Sequence, residues 1–187
     1  MSATHTPKNR NEGLISALMD CGAVRFGDFT LASGKKSKYY IDIKKASSDP
    51  ATLGLIARQA ADIVKNLDVD RVGGVVLGGV PLATAVSLKT GLPLFLIRKA
   101  TKEYGTGGRF VGDLETGDRI ILLEDVTTSG GSVMEAISAI RETNGVVDMV
   151  ITVVDREEGA KESLGSVGVT LLPLVEAHEL LEAGNDS

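Results

Sequence analysis

Two adjacent carboxylates, followed by a run of hydroxyls and glycines, stand in the second half of the chain. Glu124 and Asp125 come directly after the apolar run Ile120–Leu123, and a helical pattern begins near Ser132. A buried strand that passes through a glycine-rich turn into a helix presents backbone N–H groups and the positive end of the helix dipole, and phosphate is the usual ligand of such a turn. The predicted turn consists of Val126, Thr127, Thr128, Ser129, Gly130, Gly131 and Ser132.

The acidic pair narrows the choice of ligand. Carboxylates repel a phosphate, so a loop that bound only phosphate would not carry two of them. They are suited to a ligand that also offers hydroxyl donors, as a ribose does, or that arrives with Mg²⁺. The alternative is an ordinary strand-to-helix turn with a solvated acidic start. We favour the ligand site because apolar strand, acidic pair and Thr-Thr-Ser-Gly-Gly coincide.

A basic, glycine-rich loop follows the apolar run Leu94–Ile97. It opens with Arg98 and Lys99 and continues through Lys102 and Tyr104. A solvated hairpin would explain the charge, but not two cations at a strand end, where α/β proteins bind ligands. We predict a lid, over about residues 98–113, that closes with its cations on a diphosphate.

Composition places broad limits on the protein. A chain of 187 residues fits a single domain spanning 1–187. A net charge of −5 argues against nucleic-acid binding, and no apolar run reaches the length of a membrane span. The single cysteine, Cys21, cannot form an internal disulfide, which suits the reducing cytoplasm.

The order of apolar runs and amphipathic patterns predicts an α/β protein. An N-terminal helix ends near Gly22, and Val24–Ile43 is predicted as strand material around a turn at Ala32–Ser37. Pro50 opens a long helix, and a further helix covers about Leu82–Thr90. The buried strands are predicted at Val72–Leu77, Leu94–Ile97, Ile120–Leu123, Val146–Val154 and Val169–Val175, with a last helix at Glu176–Ala183.

The segment 119–132 resembles the phosphoribosyl-pyrophosphate motif of type I phosphoribosyltransferases. Three further stretches are similar to segments of the orotate phosphoribosyltransferases within that family. These are the N-terminal stretch 27–40, the loop pattern Arg-Lys-x-x-Lys-x-x-Gly at 98–105 and the sequence Asp-Arg-Glu-Glu-Gly at 155–159. The resemblance covers roughly Asp28–Arg156.

The resemblance implies a fold and a reaction. The fold has a central, mostly parallel sheet flanked by helices, a small hood at about residues 20–45 and a mobile lid. The reaction transfers ribose 5-phosphate from phosphoribosyl pyrophosphate to orotate, a step of pyrimidine biosynthesis, with Mg²⁺ as cofactor. In the family the lid serves the neighbouring subunit's site, so a homodimer is implied.

The resemblance also assigns roles to residues of this chain. Glu124 and Asp125 would hold the ribose hydroxyls, and 127–132 the 5′-phosphate. Thr128, Arg156, Tyr40 and Ile41 would bind orotate. The lid residues Arg98, Lys99, Lys102 and Tyr104 would contact the diphosphate, with Lys99, Lys102 and Asp125 as the catalytic set, and Mg²⁺ would be bound through the diphosphate near Asp125.

The chain departs from the family pattern at three places. Ala32 stands where bacterial members have a phosphate-contacting lysine, and Tyr104 stands where the family usually has histidine. The turn at 78–81 has no lysine, although many bacterial members place one there. The glycines of that turn are equally compatible with a simple chain reversal and with a backbone site for the diphosphate.

Two other functions share parts of this pattern. A purine phosphoribosyltransferase would share the central motif but lack the basic loop and Asp-Arg-x-Glu-Gly together. A regulator that senses phosphoribosyl pyrophosphate on the same fold would be expected to have a basic surface or an added DNA-binding domain, which this acidic chain does not favour.

Overall fold

The computed structural model describes residues 11–30, 34, 36–98 and 108–185. Apolar strands and amphipathic helices alternate along the chain, as the sequence pattern predicts. The elements are α1 (Glu12–Asp20), β1 (Val24–Thr30), β2 (Lys36–Ile41), α2 (Ile43–Ser48), α3 (Pro50–Val64), β3 (Arg71–Val75), α4 (Gly79–Thr90), β4 (Leu94–Ile97), β5 (Phe110–Val111), β6 (Arg119–Thr127), α5 (Gly131–Glu142), β7 (Val146–Asp155), α6 (Ala160–Gly165), β8 (Thr170–Glu176) and α7 (Ala177–Asn185).

The central sheet has six strands in the order β5-β4-β3-β6-β7-β8. The pairs β3–β4, β3–β6, β6–β7 and β7–β8 are parallel, and the short β5 pairs antiparallel with β4. The predicted α/β fold with a mostly parallel sheet is therefore confirmed. Within the described residues, the structure contains no helix of the length and apolar character that a membrane crossing requires.

Both faces of the sheet are buried, because successive side chains of a strand point to opposite sides. Along β6, Ile121 and Leu123 pack into one apolar cluster together with residues of α1, α3 and α4. Ile120 and Leu122 pack into a second cluster, which α5 and α6 cover. This two-sided burial accounts for the continuous apolar run at Ile120–Leu123.

A separate two-stranded antiparallel sheet, β1–β2, occupies the segment predicted as the hood. The prediction of strand material as far as Ile43 was wrong, because β2 ends at Ile41 and Ile43 opens α2. Ile43 and Ala46 are buried three positions apart, the spacing of one helical face, and this packing selects the helix. The hood therefore leads into a short helix that contacts α3 and β6.

Two other boundaries differ from the prediction in ways that affect the site. Strand β6 continues to Thr127, so the acidic pair lies within the strand instead of after it. Helix α4 begins at Gly79 and not near Leu82, and the peptide bond between Val76 and Leu77, just before it, is cis.

Candidate active site

The carboxyl ends of four neighbouring strands define the candidate site. Because β3, β4, β6 and β7 run parallel, the segments that follow them meet at one edge of the sheet. These segments contain the Gly78 turn, Arg98, the 127–132 turn and Arg156. The structure thus brings together, at one edge, motifs that are spread over about 80 residues of sequence.

The acidic pair is almost fully buried at this edge, with Glu124 6% and Asp125 8% exposed. The Asp125 N–H group lies 3.3 Å from Glu124 Oε1, and the Val126 N–H donates to Asp125 Oδ1 at 2.9 Å. The carboxylates are therefore held by the strand itself, with little freedom to turn away from a ligand.

Lys44 of α2 completes the surroundings of Asp125, and sequence reasoning missed it. Its Nζ donates to Asp125 Oδ2 at 3.0 Å. The sequence offered little indication that Lys44 is a site residue, because it is one of several lysines in the hood segment and α2 itself was not predicted. The short helix α2 places the ammonium group against a carboxylate 81 positions away.

The charge state of Asp125 follows from these contacts. Burial acts to raise the pKa of Asp125, but hydrogen bonding with Glu124 and the ion pair with Lys44 outweigh it, so the pKa lies below its ordinary value. The same hydrogen bond and ion pair with Asp125 raise the pKa of Lys44. At neutral pH the site therefore holds an ionised carboxylate that can accept hydrogen bonds from hydroxyl groups.

Gly78 lies directly against the carboxylate of Asp125. A Cβ atom added at Gly78 would stand 2.1 Å from Asp125 Oδ2, and one added at Gly79 would stand 2.4 Å from the Leu123 carbonyl oxygen. The sequence left the role of these glycines open between chain reversal and a ligand site. Their close approach to β6 explains why both positions are glycine, and neither of those two alternatives had predicted this contact.

The 127–132 turn leads from β6 into α5. Gly130 adopts a left-handed conformation with φ 81°, which glycine reaches without strain, and α5 begins at Gly131. Thr127 is buried, whereas Thr128 and Ser129 are exposed. The first turn of a helix leaves N–H groups without intrahelical acceptors, so this turn offers backbone donors and two exposed hydroxyls to an anion.

Asp155 joins this turn to the segment after β7. Its Oδ1 accepts from the Thr127 hydroxyl at 3.0 Å and from the Glu157 N–H at 3.2 Å. The Arg156 N–H donates to the Thr127 carbonyl oxygen at 2.9 Å. Asp155 was predicted only as part of the Asp-Arg-Glu-Glu-Gly motif, and in the structure it links the predicted phosphate turn to Arg156.

Arg156 is held on two sides by neighbouring side chains. Its Nη2 lies 2.9 Å from Glu158 Oε1, and its guanidinium carbon lies 5.4 Å from the centre of the Tyr39 ring. Its Nε is buried and has no hydrogen-bond partner among the described residues. A buried donor of this kind is suited to an acceptor brought by a ligand.

The hood side chains predicted to contact the ligand lie on two different faces of β2. Tyr40 packs against Phe29, with ring centres 5.6 Å apart, and against Arg25. Tyr39 points the other way, towards Arg156. Ile41 is partly buried against the main core. The structure therefore brings Tyr39, and not Tyr40, to Arg156, since neighbouring residues of a strand alternate.

Only the base of the predicted lid falls within the described residues. The Arg98 N–H donates to the Arg109 carbonyl oxygen at 2.8 Å, and Arg109 Nε donates back to the Arg98 carbonyl oxygen at 3.2 Å. Arg98 thus stands where the loop leaves the sheet, and β5 returns beside it. Lys99, Lys102 and Tyr104 lie outside the described residues, as does Ala32.

The residues around Asp125 fit a magnesium ion that arrives with a substrate better than one held by protein alone. Both oxygens of Asp125 already accept hydrogen bonds, from Val126 and Lys44. Within the described ranges, the cluster of three His or carboxylate side chains with metal-ligand spacing lies elsewhere, at Glu157, Glu176 and His178. Mg²⁺ commonly keeps several waters and binds through substrate phosphates, which suits this edge.

Comparisons with known proteins agree with this geometry. Residues 45–178 match the family model of the phosphoribosyl transferase domain. A curated relative, orotate phosphoribosyltransferase of Methanosarcina acetivorans, is 66% identical over 94% of this chain and 94% of its own length.

Two solved structures are also similar. That of Mycobacterium tuberculosis H37Rv orotate phosphoribosyltransferase in complex with 5-phospho-α-D-ribosyl 1-diphosphate has a TM-score of 0.75 and 30% identity, covering 90% of this chain and 96% of that one. UMP synthase of Leishmania donovani has a TM-score of 0.81 and 32% identity, covering 93% of this chain. The chain spans 38% of the length of that larger protein.

Proposed function

The chain belongs to the orotate phosphoribosyltransferases, and on that premise we propose that it transfers ribose 5-phosphate from phosphoribosyl pyrophosphate to orotate. The products are orotidine 5′-monophosphate and diphosphate. The observation that carries the proposal is the position of Asp125 between the 127–132 turn and the Gly78 turn, with Arg156 linked to the first turn through Asp155. This arrangement has a place for each part of the two substrates.

The ribose and 5′-phosphate of phosphoribosyl pyrophosphate bind at the end of β6 and at the turn that follows it. Glu124 and Asp125 accept hydrogen bonds from the ribose hydroxyls, since an ionised carboxylate is an acceptor with two oxygens. The 5′-phosphate binds the backbone donors and hydroxyls of Thr127 to Ser132, where the start of α5 favours an anion. A relative from M. tuberculosis was solved with this compound bound, which supports phosphoribosyl pyrophosphate as the substrate.

Orotate binds beside Arg156. The guanidinium fork is suited to the orotate carboxylate, and the exposed hydroxyl of Thr128 adds a donor. The buried Nε of Arg156 supports this role, because it has no acceptor among the described residues. Tyr40 and Ile41 of the hood would then cover the pyrimidine. Ile41 lies on the same face of β2 as Tyr39, beside Arg156, whereas Tyr40 lies on the opposite face, so its contact with the pyrimidine requires the hood to rearrange.

The departing diphosphate binds between the lid and the sheet edge next to Asp125. We assign Arg98, Lys99, Lys102 and Tyr104 to it. Cleavage of the anomeric C–O bond puts positive character on the ribose and negative charge on the diphosphate, so cations placed beforehand on the leaving group lower the barrier. Mg²⁺ bound through the diphosphate supplies additional positive charge there when present. No covalent nucleophile is needed.

We also propose that the protein is a homodimer in which each lid serves the partner's site, and that it acts in the cytoplasm. A mixture of Lys102→Ala and Arg156→Ala subunits tests the shared lid. If lids are exchanged, a mixed dimer contains one site with both residues intact, and about a quarter of wild-type activity returns after random reassociation. If each lid closes on its own subunit, mixing restores nothing.

The enzymatic proposal is tested by measuring diphosphate release from phosphoribosyl pyrophosphate with the purified, folded chain. Release should require both orotate and Mg²⁺. Adenine and hypoxanthine, supplied in place of orotate, serve as controls for the purine alternative and should support no release. Release with a purine but not with orotate, or no release above background, would overturn the proposal.

A further inference from the structure

The short helix α2 presents one of its two lysines to the candidate site. Ile43 and Ala46 are buried and fix the helix against the core, while Lys44 and Lys45 are exposed on its other side. Lys44 Nζ donates to Asp125 Oδ2 at 3.0 Å. The Lys44 side chain is 62% exposed and the Asp125 side chain only 12%. The ammonium group therefore lies at the solvent side of a buried carboxylate.

The charges around Lys44 are mostly negative. Asp42 from the same segment, together with Glu124 and Asp125, acts on the ammonium group. Without Lys44, these acidic groups would repel an anionic group placed directly beside Asp125, since charges at such short range interact strongly where water is partly excluded. Lys44 is thus in position to make the edge acceptable to an anionic ligand.

The turn after β3 approaches the same carboxylate oxygen from another direction. An added Cβ at Gly78 would lie 2.1 Å from Asp125 Oδ2, the oxygen that accepts from Lys44. The turn itself, Leu77–Pro81, has no basic side chain. Helix α4 begins at Gly79, so the turn offers N–H groups from a helix start but no full positive charge. Lys44 brings that charge from a different element.

We propose that Lys44 contacts the diphosphate of phosphoribosyl pyrophosphate and bridges it to Asp125 at the Leu77–Pro81 turn. This rests on the proposed function. An ammonium group has three donors, and the hydrogen bond to Asp125 uses one of them. The other two can reach diphosphate oxygens while the first stays on the carboxylate. Lys44 then binds phosphoribosyl pyrophosphate and also neutralises the charge of Asp125.

The test separates ligands that contain a diphosphate from one that does not. Binding of phosphoribosyl pyrophosphate, inorganic diphosphate and orotidine 5′-monophosphate is measured by calorimetry for wild type, Lys44→Met, Lys44→Arg and, as matched control, Lys45→Met. We expect Lys44→Met to weaken both diphosphate ligands about 10- to 100-fold, because hydrogen bonds to charged groups are lost. Orotidine 5′-monophosphate should bind within about 3-fold of wild type, because it makes no such bond.

The remaining variants and outcomes complete the test. Lys44→Arg should recover much of the affinity, and Lys45→Met should leave all three ligands unchanged. Equal weakening of all three ligands by Lys44→Met would overturn the proposal, because Lys44 would then act only through Asp125. So would unchanged binding of the diphosphate ligands. If Lys44→Met does not fold, as judged by its thermal transition, Lys44→Gln takes its place. Failure of the proposed function is a different result, namely that wild type binds none of the ligands.

Discussion

The hydroxyl of Thr127 donates to the carboxylate of Asp155 across two neighbouring strands, with 3.0 Å between the two oxygens. Both residues are buried, and they are register partners at the ends of β6 and β7. The same carboxylate oxygen accepts from the Glu157 N–H. One side chain therefore aligns the predicted phosphate turn with the segment that holds Arg156.

Replacing Asp155 with alanine should weaken both the fold and orotate binding. The buried Thr127 hydroxyl and the partly buried Glu157 N–H lose their acceptor, which costs about 1–3 kcal/mol and lowers Tm by about 3–10 °C for a chain of this size. The KM for orotate should rise more than the KM for phosphoribosyl pyrophosphate. Thermal unfolding and steady-state kinetics measure the two effects.

The matched control is Asp148→Ala on the same strand. Asp148 is exposed and pairs with Arg119 at the surface, so its loss should cost less than about 1 kcal/mol. Equal loss of stability in both variants would contradict the role given to Asp155.

Gly78→Ala should reduce turnover by about 100-fold, since displacement of a substrate-contacting group by about 1 Å can have that effect. The added Cβ would meet Asp125 Oδ2 at 2.1 Å, so the carboxylate has to move. Gly13→Ala is the control, because its Cβ would meet nothing within 4 Å. Initial rates at saturating substrates provide the measurement, and wild-type turnover in Gly78→Ala would remove Asp125 from the mechanism.

Lys102→Ala should lower kcat by about 10²–10³ without changing the thermal transition, because one preorganised donor to the leaving diphosphate is lost. Lys89→Ala, an exposed lysine in the last turn of α4, is the control for loss of one positive charge. Near-normal turnover in Lys102→Ala would argue against a catalytic lid.

Arg156→Lys should raise the KM for orotate by about 10- to 100-fold, although the positive charge is kept. A lysine ammonium cannot form the paired hydrogen bonds of a guanidinium fork with a carboxylate, and such charged hydrogen bonds are worth about 1.5–3 kcal/mol. The KM for phosphoribosyl pyrophosphate should change little. If the KM for phosphoribosyl pyrophosphate rises and the KM for orotate does not, orotate is not the ligand of Arg156.

The ion pair of His178 and Glu157 should make a small, pH-dependent contribution to stability. The hydrogen bond with Glu157 raises the pKa of His178, and the nearby charges of Glu157, Glu176 and Glu179 add to this against the effect of burial. A raised pKa means that the contribution is complete below the ordinary His value and is lost as pH rises through the raised value. The backbone N–H of His178 lowers the pKa of Glu157, so on the acid side the pair persists until pH falls through that lowered value.

Comparison of Tm for wild type and His178→Gln at several pH values measures this effect. The difference should be present at about pH 6 and vanish by about pH 9. It should stay below about 1 kcal/mol because both side chains are largely exposed. A difference that grows with pH would have the wrong sign.

The fold class and the main segments of the site could be predicted from the amino-acid pattern alone. Continuous apolar runs of strand length and helical faces with a period of 3.6 are local properties, so the central strands, the helices and the acidic strand-to-turn segment could be predicted. Thr127 to Ser132, Glu124, Asp125, Arg98 and Arg156 were all identified as candidates, and the parallel sheet brings their segments to one edge.

The pairs of side chains that face one another could not be predicted before the folded chain was known. Lys44 reaches Asp125 across 81 positions, and Thr127 reaches Asp155 across 28. Tyr39 rather than Tyr40 faces Arg156, because the register of β1 with β2 sets the face of each residue. Such contacts depend on strand pairing and on where a six-residue helix starts, and no local pattern encodes either.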